Sequence, residues 1–83
     1  MDKFEKKMWL ERNPVRLARM KKDITRKDLA PLVDMSIKGL YLIEHGISVP
    51  RKQTLMDIAE LLKTDYADLY AASTIWFSEK EVE

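Results

Sequence analysis

Apolar residues recur through most of this chain at spacings of three and four, the period of an α-helix that buries one face. The pattern is clearest from Thr25 to Gly46, TRKDLAPLVDMSIKGLYLIEHG, which predicts two short helices joined by a tight turn. Thr25 with Asp28 makes a capping box with a shortened acid, so a helix starts there and carries Leu29, Leu32 and Val33 inward, with Ala30 as the small residue of that turn. Asp34 stands where a chain leaving a helix needs a left-handed residue, and Asp tolerates that conformation better than most side chains. Ser36 can cap the second helix. Over Ile37 to Glu44, Leu40 and Ile43 repeat on one side, while Lys38, Tyr41, Leu42 and His45 fall on the other at i, i+3, i+4 and i+7. Gly46 then ends the helix.

The flanks extend the same pattern. Residues 2–12 predict a helix with Phe4 and Met8 one turn apart and Trp9 alongside. Its narrow apolar stripe suits a peripheral helix or arm packed on the domain, with a basic arm laid on phosphate as the alternative. Asn13-Pro14 is a start signal, since Asn is a favoured N-cap and Pro at the first helical position loses no hydrogen bond. That helix is expected to reach about Asp23 with Val15, Ala18 and part of Met20 inward, and Arg16, Arg19, Lys21 and Lys22 along the remainder. Pro31 lies past the first turn of its helix, where it removes a donor and predicts a kink or a displaced carbonyl, at up to ~3 kcal/mol in a regular interior. After a loop at Pro50, Leu55, Ile58, Ala59 and Leu62 mark a helix from about Lys52 to Leu62. Arg51 and Lys52 sit at its start, the less favourable end for cations, which suggests either an anionic partner or a solvated loop. Asp65 and Asp68 frame a short closing helix carrying Tyr66, Leu69 and Tyr70 to about Ser73. Beyond it Ile75, Trp76 and Phe77 form a dense apolar cluster in a tail, expected either to fold back, beside Trp9, or to cover a second subunit.

Composition narrows the class. At 83 residues the chain makes one domain with a modest core, and 46% hydrophobic with 35% charged residues is too apolar for a disordered chain. Fifteen Lys and Arg against fourteen Asp and Glu leave +1, weak support for a phosphate-binding surface unless the cations gather on one face. The absence of cysteine removes disulfides and thiolate metal sites. With a lone histidine, no glycine-rich phosphate loop and no carboxylate cluster, neither a nucleophile with its base nor a set of metal ligands is present, so catalysis is not expected and no cofactor or metal is called for. No apolar run approaches membrane-spanning length, which predicts a cytoplasmic protein with no membrane partner.

Taken alone, two helices about a tight turn fit either the helix-turn-helix of nucleic-acid-binding proteins or a helical hairpin in any small bundle. Residues 13–70 as a whole resemble the Cro/repressor family of bacterial and phage helix-turn-helix regulators, with the lambda-repressor-like fold of five helices. The resemblance rests on NPVRLARMKKDIT, TRKDLA, DMS, IKGLYLIEHG and a spaced VP, TLMDIAELL and DYADL, in that order. It implies that Arg19 pairs with Glu44, tying the first helix to the third. It also implies that Arg26, Ser36, Arg51 and Lys52 touch phosphates, that His45 adds a possible phosphate contact, and that Ile37, Lys38 and Leu42 lie at base edges with Tyr41 between them. The chain departs from the family pattern in places. Lys38 is the one strong donor where Gln, Arg, Asn, Ser or Thr are usual, Ile37 and Leu42 suit thymine methyl groups, and Tyr41 can reach a phosphate. Gly39 costs the recognition helix about 1 kcal/mol of propensity relative to alanine, and Asp23 and Lys63 stand where glycines usually follow helices.

The expectation is therefore an all-α, five-helix lambda-repressor-like helix-turn-helix domain over 13–70, with an N-terminal helical extension at 1–12 and a short C-terminal tail at 71–83 that includes the possible dimer contacts Ile75, Trp76 and Phe77. The function implied is a DNA-binding regulator, a repressor of phage or other mobile-element type acting as a homodimer on a double-stranded operator, with residues 36–45 in the major groove. No small-molecule ligand is expected, so control falls to abundance, degradation or a protein antagonist. The alternative is a protein-interaction module that kept this fold while Ile37, Tyr41 and Leu42 turned its outward face apolar, as an antagonist or antitoxin-like partner of another regulator.

Overall fold

Short polar side chains start four of the five helices described for this chain. In the computed structural model, which describes residues 11–81 and side chains as far as Ser78, Asn13 Oδ1 accepts from Val15 and Arg16 N–H to open α1 (Pro14–Lys21). Thr25 Oγ1 accepts from Asp28 N–H at 3.1 Å to open α2 (Arg26–Leu32), and Ser36 Oγ accepts from Gly39 N–H at 2.9 Å to open α3 (Ile37–Glu44). Asp65 Oδ1 accepts from Ala67 N–H at 2.8 Å before α5 (Tyr66–Glu81). Only α4 (Lys52–Leu61), preceded by Arg51, has no side-chain cap. Each cap satisfies a donor that the helix itself leaves open.

The first four helices end alike. The residue after each C-cap takes a left-handed conformation, with φ of 56° at Asp23, 56° at Asp34, 72° at Gly46 and 53° at Lys63. The paired backbone bonds of a Schellman turn close behind each one, as in Thr64 N–H to Ala59 O at 2.9 Å and Lys63 N–H to Glu60 O at 3.2 Å. Three of the four turns thus use a residue with a Cβ where glycine is unstrained. Lys63 is exposed, so Lys63→Gly is expected to raise stability by about 0.5–1 kcal/mol, the relief of strain exceeding the added freedom of the unfolded chain. Urea unfolding of the two proteins checks it; a fall in midpoint would show that the turn carries no strain.

α1 packs against α3 and α5, α2 against α3, and α4 against α5. The core is Val15 from α1, Leu29, Ala30 and Val33 from α2 and its cap, Leu40 and Ile43 from α3, Leu55, Ile58, Ala59 and Leu62 from α4 and its cap, and Leu69 from α5. Ala18, Ile24, Met35 and Tyr66 cover its edges. Two expectations are corrected here. Leu32 is 60% exposed and not part of the core, and the closing helix does not end near Ser73 but continues to Glu81. Pro31 does not stop α2, which runs on as helix to Leu32; one position from the end, its missing N–H costs a single bond. The helix expected over residues 2–12 lies outside the described residues save for Glu11 and Arg12, so Phe4, Met8 and Trp9 are not placed. Among the described residues no helix is long and apolar enough to cross a membrane, and no group of three or more His, Cys, Asp or Glu is arranged to hold a metal ion.

Candidate nucleic-acid interface

The end of α3 is bound to α1 through three buried polar residues, Asn13, Arg19 and Glu44. Glu44 has no exposed surface, and its carboxylate receives Arg19 Nε at 2.8 Å on one oxygen and Arg19 Nη2 at 3.0 Å on the other. Arg19 Nη1 donates to Ile24 O at 2.8 Å, so the whole fork of that guanidinium is used. Asn13 is buried as well; besides capping α1 it donates from Nδ2 to Ile43 O at 3.1 Å. A polar side chain in a core is tolerated only when its hydrogen bonds are made, and these bonds fix the orientation of α3 on the scaffold. The Arg19–Glu44 pair implied by the family resemblance is present, with Asn13 as a second tie that the sequence showed only as a cap.

Arg26, at the first position of α2, points to the same carboxylate, with Nε 3.2 Å from Glu44 Oε1 and a side chain 30% exposed. Its guanidinium carbon lies 5.3 Å from the centroid of the Tyr41 ring, within cation–π range. His45 stacks on Tyr41 with centroids 3.8 Å apart and planes at 24°, and its Nδ1 lies 2.9 Å from Tyr41 O. Nothing local predicted the Arg26–Glu44 contact across eighteen positions. The Tyr41–His45 pair did have a signal, two rings at i and i+4 on one helix.

The remaining predicted residues divide by exposure. Ser36, Ile37, Lys38 and Tyr41 are exposed on α3, Ile37 by half, whereas Leu42 is half-buried and His45 is covered in part by the tyrosine. Arg51 and Lys52 are exposed at the start of α4, the end at which no side chain caps the helix N–H groups. The tail aromatics separate: Trp76 and Phe77 are 5% and 7% exposed, set edge to face with centroids 4.8 Å apart, and they fold back into the chain's own structure. Ile75 alone stays outward, 59% exposed.

A short α2, a left-handed turn at Asp34 and an α3 held by buried ties while its other side stays open are the parts of a helix-turn-helix. A helix-turn-helix family model matches residues 15–69, from Val15 in α1 to Leu69 in α5. No curated protein and no solved structure matches the chain. The matched span is more than half the chain and takes in the Arg19–Glu44 tie between α1 and α3, the turn and the start of α4. With its five described helices in lambda-repressor-like order, the chain belongs to the Cro/C1-type helix-turn-helix family of DNA-binding transcriptional regulators.

Proposed function

We propose that the protein is a sequence-specific repressor of the type used by phages and other mobile elements, binding a two-fold operator as a homodimer and excluding RNA polymerase. Residues 36–45 enter the major groove, where Lys38 donates to a guanine edge, Ile37 and Leu42 pack on thymine methyl groups and Tyr41 lies between them. Ser36, Arg51 and Lys52 hold the flanking phosphates. The observation that carries this reading is the uncapped start of α4, where two exposed cations have no ion-pair partner among the described residues and an anion would find both cations and helix N–H groups. A two-fold dimer requires an outward apolar contact, and on the last helix Tyr70 and Ile75 offer one.

The test is a titration against fragments flanking the gene at two salt concentrations, with footprinting of the tightest. Two protected half-sites about 34 Å apart are expected, one helical turn. Lys38→Ala is expected to cost about 1–3 kcal/mol on that fragment and little on others, and Lys52→Ala to weaken all fragments and lower the salt slope by about one. Equal, weak binding to every fragment, unmoved by either variant, would overturn the proposal.

A second reading has its own observation: α3 and the loop after it expose Ile37, Tyr41, Ile47 and Val49, an apolar row suited to a protein surface. On that reading the partner is another regulator or a toxin, and binding is nearly independent of salt.

A further inference from the structure

Arg26, Tyr41 and His45 make one connected cluster at the outer edge of α3. Arg26 is held twice, by its Nε on the buried Glu44 carboxylate at 3.2 Å and by its guanidinium over the Tyr41 ring at 5.3 Å. His45 is also held twice, by stacking on Tyr41 at 3.8 Å and by Nδ1 at 2.9 Å from Tyr41 O. A carbonyl oxygen only accepts, so Nδ1 carries the proton of that bond and the ring is oriented by its own helix. The Tyr41 ring is thus gripped from α2 and from the next turn of α3 while 40% of the residue remains exposed.

We propose that Arg26 and His45 are positioning residues, not phosphate contacts, and that the group they deliver is the Tyr41 hydroxyl, which donates to a phosphate oxygen at the edge of the major groove. This rests on the DNA-binding reading above. Holding the ring in the unbound protein removes the cost of ordering it on binding, so a neutral side chain contributes more than it would from a mobile position. It also assigns α2 a part in recognition through α3, with Glu44 as the anchor for both arginines.

The experiment is a double-variant cycle on the tightest-binding DNA fragment with Tyr41→Phe, Arg26→Gln and the pair, and likewise with His45→Gln. Tyr41→Phe is expected to weaken binding about ten- to a hundredfold, as loss of one hydrogen bond to a charged acceptor does, with the salt slope unchanged because the hydroxyl carries no charge and displaces no counterion. Arg26→Gln and His45→Gln are expected to weaken wild-type binding by similar factors and to have no effect in the Tyr41→Phe background. Thermal unfolding of each variant confirms that it folds, and NMR side-chain couplings of the free protein should show a fixed Tyr41 χ1 that averages in Arg26→Gln. Additive losses with a salt slope lower by about one in Arg26→Gln would overturn the proposal in favour of a direct arginine–phosphate contact. So would an averaged χ1 in the wild type. If wild-type protein binds no fragment in preference to another, the DNA-binding reading itself falls, a different result from additivity.

Discussion

Glu44→Ala is expected to destabilise the protein by about 3–5 kcal/mol, the cost of breaking a buried ion pair from one side. Glu44 is fully buried, and Arg19 beside it is 9% exposed with its fork spent on Glu44 and Ile24 O. Without the carboxylate, Arg19 is left as a buried cation with one backbone acceptor, and Arg26 loses its anchor. Single domains are stable by only about 5–15 kcal/mol, and a small one lies toward the low end, so this variant should sit near its unfolding midpoint without denaturant. Urea unfolding followed by circular dichroism reads the loss directly. A loss under about 1 kcal/mol would mean the carboxylate is not holding α1 to α3. The double variant Arg19→Leu, Glu44→Leu separates charge from packing: with both charges gone no ion is stranded, and most of the stability should return. The pair therefore specifies how α3 sits on the scaffold more than it contributes net free energy, and a recognition surface depends on that placement.

Local signals made the helix starts readable, because a cap is a contact between a residue and its near neighbours. Asn13, Thr25, Ser36 and Asp65 were all identifiable from residue type and position alone, and the observed bonds join residues two or three positions apart. The ends were readable where Asp34 and Gly46 supplied the left-handed residue; Asp23 and Lys63 do the same with less suitable side chains. The core faces followed from the helical period except at Leu32. It lies three residues from Leu29, a permitted inward spacing, but Ala30 is buried too and pulls the stripe around. At about 100° per residue, Leu32 falls more than a quarter turn off the line through Leu29, Ala30 and Val33. A small residue in the sequence does not announce that it decides a helix's facing.

The candidate interface divides in the same way. The period placed Lys38 and Tyr41 outward on α3, and the exposed cations at the start of α4 were visible as a violation of helix electrostatics. The Arg19–Glu44 pair came from family resemblance, since no local rule joins residues twenty-five positions apart. Arg26 could not be placed at all from its identity. An arginine at the start of a helix fits a phosphate as well as a carboxylate, and the choice depends on Glu44 reaching the same point in space from α3. Polar side chains with several donors carry the least positional information until their partners are known.

Trp76→Ala is expected to cost about 3–5 kcal/mol, and a chain ending at Ala72 to be unfolded, not a folded monomer freed from a dimer. Leu69, Ser73, Trp76 and Phe77 lie on one buried stripe of α5 at i, i+4, i+7 and i+8, and between Tyr66 and Glu81 there is no glycine or proline to end the helix. Ser73 interrupts the apolar pattern midway, which is why the stripe reads as a short helix followed by a tail. In the fold Trp76 and Phe77 close the chain's own structure, edge to face, and their loss would expose the surface they cover. Ile75, one position away and outward, is the contrast: Ile75→Ala should change stability by less than about 0.5 kcal/mol. Circular dichroism and urea unfolding of the three proteins decide the matter. If the chain ending at Ala72 keeps the wild-type melting temperature, the end of α5 is not part of the folded core, and its aromatic residues become available to a second subunit. If it unfolds while Ile75→Ala does not, any dimer contact on this helix is confined to the outward face that Ile75 occupies, because the inward face is already committed to the monomer's own core.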